Sequence, residues 1–504
     1  MVTCTWALSV QLTPGVWTAL SADVVGAMGV HLRYGINGNG PMDCLADEGE
    51  ATFSLRNDAH NSGSTQGWYS PVHASKRAGW NYGIPIKVEF TYSAVTYTKF
   101  RGKIRECRPM PGTGRGERCD VVAYDYMADL MDADVRQVDV QVAKTEAELL
   151  TTLLDSLPTD AQPVARDFDA GVDTYPYAFD NLGGGAKAAG LAKDVVASAY
   201  GLGFFKGDGT FCYRNRHTRS TGTSAATFTN TMHGLVVPSS LDKVYNRVRA
   251  TIHKKTVSAS PTDLLYTLPT GGSIAIAAGA TMEVWTDYTD PNDRQTKVGG
   301  VAIVALVAST HYAGNTLADG TGTDITSALS VTLDDFSTTA KWTFTNTGTA
   351  SGFITLQKVY GEAVRDLGPQ TFESYTAQTY GDRPTDIDMP YQDNEYIGQS
   401  AADYTKTKYQ SLTNQLESIE FVANQSDYLM TQALTREPGD LITITETVTG
   451  LGAVEAVIHS VEFEVRAGLQ IICRWGLAPA SILDVWQLGV AGASELGETT
   501  LLGF

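Results

Sequence analysis

Two glutamates spaced two apart, Glu462 and Glu464 in VEFEV, are the candidates for acid/base work on a glycosidic bond. Period-two spacing puts both on one strand face, and a glycosidase needs two facing carboxyl groups. The same spacing is the ordinary pattern of a solvated strand face. Gly183-x-Gly185-x-x-Ala188 fits the dinucleotide fingerprint formally and opens a helix, whose N-terminal N–H groups could hold a pyrophosphate. Its context fails, because Tyr175–Leu182 is no apolar strand and the ribose-binding carboxylate falls near Asp208, in a hairpin turn. A phosphate loop fails outright, since Gly185–Gly190 is followed by Leu191-Ala192. The eight histidines (His31, His60, His73, His217, His233, His253, His311, His459) are scattered and form no HExxH. Asp290, Asn292 and Asp293 in TDPND, with Asp319 and Asp324 in ADGTGTD, could offer oxygens to Ca²⁺, yet neither loop has EF-hand spacing and turn formation explains them. No GxSxG elbow marks a serine. The expectation is a protein without catalytic, cofactor or metal residues, and hence not an enzyme.

Composition narrows the class. A length of 504 residues implies about three domains at roughly 150 residues each. With 37 Lys+Arg against 56 Asp+Glu, the net charge of −19 has the wrong sign for affinity built on neutralising phosphates. At 43% hydrophobic and 18% charged, the chain can bury large cores. The longest apolar stretch, Val298 to Ala308, is short of the ~18 residues of a membrane span, and no basic segment precedes Met1–Leu12, so a soluble, unprocessed chain is expected. The six cysteines include no CxxC; Cys107 and Cys119 flank one loop, and reduced, half-buried thiols are expected.

The elements that would carry these residues are mostly strands. Ala51–Arg56, Ile84–Tyr92 and Thr96–Cys107 are rich in β-branched and aromatic residues, and the loop Arg108–Glu117 should let Thr96–Cys107 pair antiparallel with Arg118–Tyr126 in a barrel or sandwich. Thr145-x-x-Glu148 is a capping box opening a helix with an apolar stripe of Leu149, Leu150, Leu153, Leu154 and Leu157, ended by Pro158. A second helix spans about Ala186–Tyr200, followed by Phe204–Phe205, the turn Gly207-Asp208-Gly209 and Thr210–Asn215. Lys243–His253 alternates, with Val244, Asn246, Val248, Ala250 and Ile252 on one face.

Between about 257 and 381 the composition turns to Ala, Gly and Thr. Strands are expected at Ser273–Ala277, Thr281–Asp287, Ala302–Val307, Ser330–Leu333, Ala340–Thr345 and Phe353–Tyr360, forming a separate sandwich. Ser400-x-x-Asp403 is placed to cap a helix through about Leu412. Beyond it come the strand Leu416–Val422, the helix Asp427–Leu434, the turn Glu437-Pro438-Gly439-Asp440 and the strands Leu441–Thr447, Ala453–Val465 and Gly468–Trp475. A Gly-rich tail closes the chain. The fold class is mainly β with α+β parts, in several domains.

In order along the chain, GEATFSL (Gly49–Leu55), Tyr69–Pro71, YGIPIKVE (Tyr82–Glu89), FRGKIRE (Phe100–Glu106) and CDVVAYDYMADLM (Cys119–Met131) resemble the tail proteins of long-tailed phages. LAKDVVASAYGLGFFKGDGTFCYRN (Leu191–Asn215) is similar to that family's next helix and hairpin, and EPGDLITITE, closing Asp403–Glu446, to its last barrel. The resemblance spans about 1–255 and 385–480. It points to baseplate hub or tail-tip (minor tail) proteins, related to contractile-phage baseplate hubs and type VI spike hubs.

The resemblance implies two hub β-barrel domains, 1–135 and 385–480, around a helix and α+β hub segment, 136–256. It further implies an inserted β-sandwich, 257–384, and a C-terminal Gly-rich tail, 481–504. It implies a homotrimer whose six barrels meet a sixfold tail tube. The expected partners are the distal tail protein or tail tube, the tape measure protein and other tail-tip proteins. DNA would pass the lumen without specific binding, and the host cell surface would be met indirectly. The chain would be a virion component assembled in the host cytoplasm, with no catalytic residues and no cofactor. In the tail, Trp486, Leu488, Leu496, Leu502 and Phe504 lie among glycines, and burying such apolar groups on a neighbouring chain is the expected partner contact. Two alternatives accompany this reading. One is a receptor- or carbohydrate-binding tail protein using Trp285, Tyr288 and Trp342 of the sandwich; the other is a glycan hydrolase using Glu462 and Glu464.

Overall fold

A computed structural model describes residues 2–26, 29–112, 116–182, 185–221, 223–237, 241–411, 416–466 and 468–480. Seven strands build the N-terminal half: β1 (Thr5–Thr13), β2 (Val16–Ala19), β3 (Val30–Gly35), β4 (Glu50–Arg56), β5 (Pro85–Tyr92), β6 (Val95–Met110) and β7 (Arg118–Tyr124). Alternation drives them. In β5, Ile86, Val88 and Phe90 are buried while their neighbours are partly exposed, and β7 buries Cys119, Val121 and Ala123 in the same way. The expected hairpin is present: β6 and β7 are antiparallel, with Ile104 opposite Ala123 and Cys107 opposite Val121. Both Cys107 and Cys119 are free and buried. The β5–β6 turn places Ser93 and Ala94 at φ 49° and 63°, the left-handed pair that a tight hairpin requires.

The C-terminal half contributes Ser418–Val422, Leu441–Glu446, Leu451–Arg466 and Gln470–Pro479, with the helix Asp427–Thr435 laid beside them. Two strands from earlier in the chain join it: Gly234–Val236 pairs with Ser418–Val422, and Ala226–Thr229 runs parallel to Leu441–Glu446. Because Leu451–Arg466 also pairs with β3, both halves belong to one 13-stranded sheet. One core runs under it, where Phe90 stacks on Phe463 at 5.4 Å and Trp475 meets Phe421 edge-on at 5.0 Å.

After β7 the chain forms α1 (Tyr126–Asp132), α2 (Glu146–Asp155) and α3 (Ala188–Ser198). The capping box at Thr145 and Glu148 is formed, and Leu149, Leu150, Leu153, Leu154 and Leu157 are all buried as their spacing requires. A second core joins these helices to the hairpin of Leu202–Phe205 and Thr210–Arg214. The strand Arg247–Val257 buries Val248, Ala250 and Ile252 from the expected face, and fully buried Asn246 just before it is bonded to Thr376, Gly381 and Arg383.

The segment after Val257 folds on its own core, with Trp342, Tyr288, Phe344 and Ile354 fully buried. Thr339–Asn346 is the central strand of a three-stranded sheet, between Thr281–Asp287 and Leu329–Asp335. Against it lies a sheet organised by one 24-residue strand, Gly352–Tyr375. That strand pairs with elements of the segment over its first part and with Arg247–Val257 over its last, Val364–Tyr375.

Two expectations are corrected. Ala302–Val307 is not a strand: the ladder is confined to Gly299–Val301, and Ala302 at φ 50° turns the backbone out of it. The helix expected from Ser400 begins earlier, as Glu395–Tyr409, because Asn394 caps it by accepting the N–H of Tyr396. Asp403 lies inside that helix and accepts instead from the Ser374 hydroxyl.

Candidate functional site

Three motifs far apart in sequence meet at one point. Lys99 of β6 is fully buried, and its Nζ lies 2.6 Å from Glu437 Oε1 while donating to the carbonyls of Arg436 (3.1 Å) and Leu434 (3.3 Å). The rings of Phe463 and Tyr34 stand 5.6 and 5.8 Å from the ammonium. Glu437 begins the EPGD turn, closed by the Asp440 N–H donating to the Glu437 carbonyl, with Gly439 at φ 90°. Its second oxygen accepts the N–H of Gly207, in the Gly207-Asp208-Gly209 hairpin. A Cβ on Gly207 would sit 2.7 Å from the Lys99 backbone, so only glycine allows this approach. A buried ammonium needs a carboxylate and further acceptors, and the junction supplies all of them.

Beside the junction runs the seam of the sheet. Ser460 to Val465 pair antiparallel with Gly35 to Val30, placing Phe463 opposite Leu32. On the other face, Glu462 Oε1 lies 2.9 Å from His31 Nε2 and 3.6 Å from Arg474. The bond to Glu462 raises the His31 pKa, and the same bond holds the Glu462 carboxyl below its ordinary range. Glu464 is held by Arg466 at 2.7 Å, which likewise lowers its pKa. Both carboxylates are thus engaged by cations of their own or adjacent strands. A general acid needs a raised pKa, and neither glutamate has one.

The other singled-out residues are local. Asp290 is bonded to Arg365 and accepts the Asn292 N–H; Asp293 accepts from Gln295 and Thr296, Asp319 from Thr321, and Asp324 from Thr326. Among the described residues no cluster of His, Cys, Asp or Glu could hold a metal ion. Gly183 lies outside the described residues; before α3, Thr174–Ala178 is antiparallel to Gln141–Thr145, so the parallel strand a dinucleotide fingerprint requires is not formed there. Asp208 accepts the Thr210 N–H within its turn. Of the sandwich aromatics, Tyr288 and Trp342 are core residues, a correction to their expected role as surface contacts; Trp285 is 49% exposed and stacks on Phe336. Trp486, Leu488, Leu496, Leu502 and Phe504 lie outside the described residues. Sequence reading missed Lys99, since a lysine in an alternating strand carries no mark of burial until its covering turn is known.

No family model matches the chain, and no curated protein matches its sequence. Its fold is similar to solved tail-protein structures. The 43 kDa tail protein of prophage MuSo2 from Shewanella oneidensis has 9% identity and a TM-score of 0.49, covering 95% of this chain and 98% of that one. A tail protein from Neisseria meningitidis has 11% identity and a TM-score of 0.47, covering 94% and 96%. An E. coli component of the type VI secretion system has 8% identity and a TM-score of 0.37, covering 94% and 77%.

Proposed function

We propose that this chain is a structural protein of a phage tail, the trimeric baseplate hub or tail-tip subunit that closes the tail tube and lets DNA pass on infection. The observation that carries the reading is the seam: the pairing of Ser460–Val465 with Val30–Gly35 makes two β halves, distant in sequence, one continuous sheet. A subunit that presents two similar β units in fixed relation gives six units per trimer, the arrangement needed where a threefold hub meets a sixfold tube. The ordered motifs from GEATFSL to EPGDLITITE support the same reading. In it, 1–135 and 385–480 supply the barrels, 136–256 links them, and 257–384 is the appended sandwich. An acidic chain of net charge −19 suits a conduit that must not retain DNA. Tube, tape measure and other tail-tip proteins are the neighbours, and no catalysis is required.

The test is the symmetry of the particle. Light scattering on the purified chain should give three times the monomer mass, and a density map of the tail should place three copies at its tip. A sixfold ring or a persistent monomer in the virion would refute the hub. Exposed Trp285 favours a second reading, in which the sandwich meets a surface receptor. Trp285→Ala would then abolish adsorption while leaving tails intact.

A further inference from the structure

The inserted segment leaves one sheet edge open. Leu329–Asp335 pairs with Thr339–Asn346 on one side and, among the described residues, has no strand on the other. The Phe336 N–H donates to the Thr339 carbonyl at 2.9 Å, which makes these two a hydrogen-bonded pair of the hairpin. Counting back in twos along the register, Asp334, Thr332 and Ser330 are hydrogen-bonded to Lys341, Thr343 and Thr345. Val331, Leu333 and Asp335 fall between them, so their N–H and C=O groups point out from the edge of the sheet.

Those three residues form one wall of a cavity of about 510 Å³. Ile303, Ala305 and Leu306 line the other, in a stretch tied to Gly352–Tyr375 by the Val304 N–H donating to the Tyr360 carbonyl at 2.8 Å. Ile303, Leu306, Val331 and Leu333 all belong to the partly exposed rim of the insertion's core. An apolar surface and an unpaired backbone edge therefore lie side by side, as strand addition requires.

Asp335 selects the strand. It accepts the Tyr288 hydroxyl at 2.6 Å, and burial followed by the charge of Asp139 pushes its pKa up to about 7, with no cation acting on it. Asp139, brought to this end of the edge by the Val138 carbonyl accepting the Ser337 N–H, is raised by burial as well. A second copy of the edge, LSVTLDD, carries no cation to relieve these carboxylates. A charge on the core-facing side of an edge strand also guards against indiscriminate pairing.

We infer that Leu329–Asp335 takes up an extended segment of another protein as an added strand, one that alternates apolar side chains and carries Lys or Arg where it passes Asp335. Its main chain bonds to the outward groups of Val331, Leu333 and Asp335, its apolar side chains rest on Ile303 and Leu306, and its cation pairs with the Asp335 carboxylate. The site is independent of the hub role.

The experiment is selection of displayed random dodecapeptides on the full chain, followed by calorimetry with the enriched peptide. Enriched sequences should alternate apolar residues and hold Lys or Arg toward one end, with Kd below about 100 µM. N-methylation of every second amide should abolish binding in one frame and change it little in the other, because one side of the added strand is bonded to the edge. Hydrogen exchange over Leu329–Asp335 should slow on binding. Asp335→Asn, which keeps an acceptor for Tyr288, should weaken the basic peptide about tenfold and erase its advantage over the same peptide with Gln in place of the cation. Trp285→Ala, on the far strand of that sheet, should leave affinity unchanged. The changes made in the peptide read the same contacts without altering the chain. No enrichment, equal loss in both N-methylation frames, no slowing at this edge, or a preference for the cation that survives in Asp335→Asn would overturn the assignment.

Discussion

The Lys99 ammonium and the Glu437 carboxylate, 2.6 Å apart and 338 positions apart in sequence, fasten the two β halves of this chain where the sheet passes from one to the other. The ammonium stands beside the core rings of Phe463 and Tyr34, so sheet pairing, apolar packing and an ion pair all cross the same seam.

Removing one partner of that pair should be severe. Lys99→Met leaves Glu437 and two carbonyls without their donor, and a loss of about 3–5 kcal/mol is expected. Denaturant midpoints should show Lys99→Met with Glu437→Gln to be less damaging than the two single losses added together. Additive losses would mean that the pair is not coupled.

Asp125 caps α1 by accepting the Met127 N–H, yet burial pushes its pKa up to about 7. A carboxyl raised in the folded state contributes its full stability below its ordinary value near 3.8, and that contribution is lost as pH rises through 7. Asp125→Asn keeps the capping acceptor and cannot ionise. Its stability should therefore exceed that of wild type at pH 8 by roughly 4 kcal/mol, read as a higher melting temperature, and converge with it at pH 4.

The His31–Glu462 pair acts in a different window. The raised His31 pKa gives stability that is full below about 6.5 and lost as pH rises through the folded value; the lowered Glu462 pKa gives stability that is full above about 4.5 and lost as pH falls through its own. The pair is partly solvated, so Glu462→Gln should cost no more than about 1 kcal/mol, greatest between pH 4.5 and 6.5. A titration of unfolding free energy from pH 4 to 9 checks both bounds.

Ser93 and Ala94 occupy left-handed backbone that Asn and Gly adopt more easily, and both are exposed. The double change Ser93→Asn, Ala94→Gly should stabilise the chain by about 1 kcal/mol, read as a raised denaturant midpoint with an unchanged slope.

The strand Gly352–Tyr375 makes removal of the insertion depend on where it is cut. Val257 lies opposite Val364, so replacing 258–363 by Asn-Gly should close a hairpin there and leave a folded chain. Deleting 257–381 takes away the partner of Arg247–Val257 and should give insoluble protein. Circular dichroism and solubility of the two deletions decide the matter. Deleting 482–504 should leave the proposed trimer intact and block its entry into tails, as the proposed partner contact through Trp486, Leu488, Leu496, Leu502 and Phe504 requires; full infectivity would refute that contact.

Local order was legible in the residues themselves. Strand-forming composition marked Thr281–Asp287, the Gly207-Asp208-Gly209 turn marked the hairpin strand Thr210–Arg214, the capping box marked α2, and Glu437-Pro438-Gly439-Asp440 marked its turn, because each depends on groups only a few bonds apart. Ala302–Val307 misled because an apolar run reads alike whether or not a neighbouring strand is free to pair with it. The partners of Glu462, in particular His31 from 431 positions away, were not legible. Which strand continues into which sheet, which glycine lets a backbone approach Lys99, and which carboxylate neutralises it depend on long-range closure of the chain. Those contacts are set by the tertiary structure, since desolvating a charge or pairing a sheet edge is favourable only when the distant partner arrives in register.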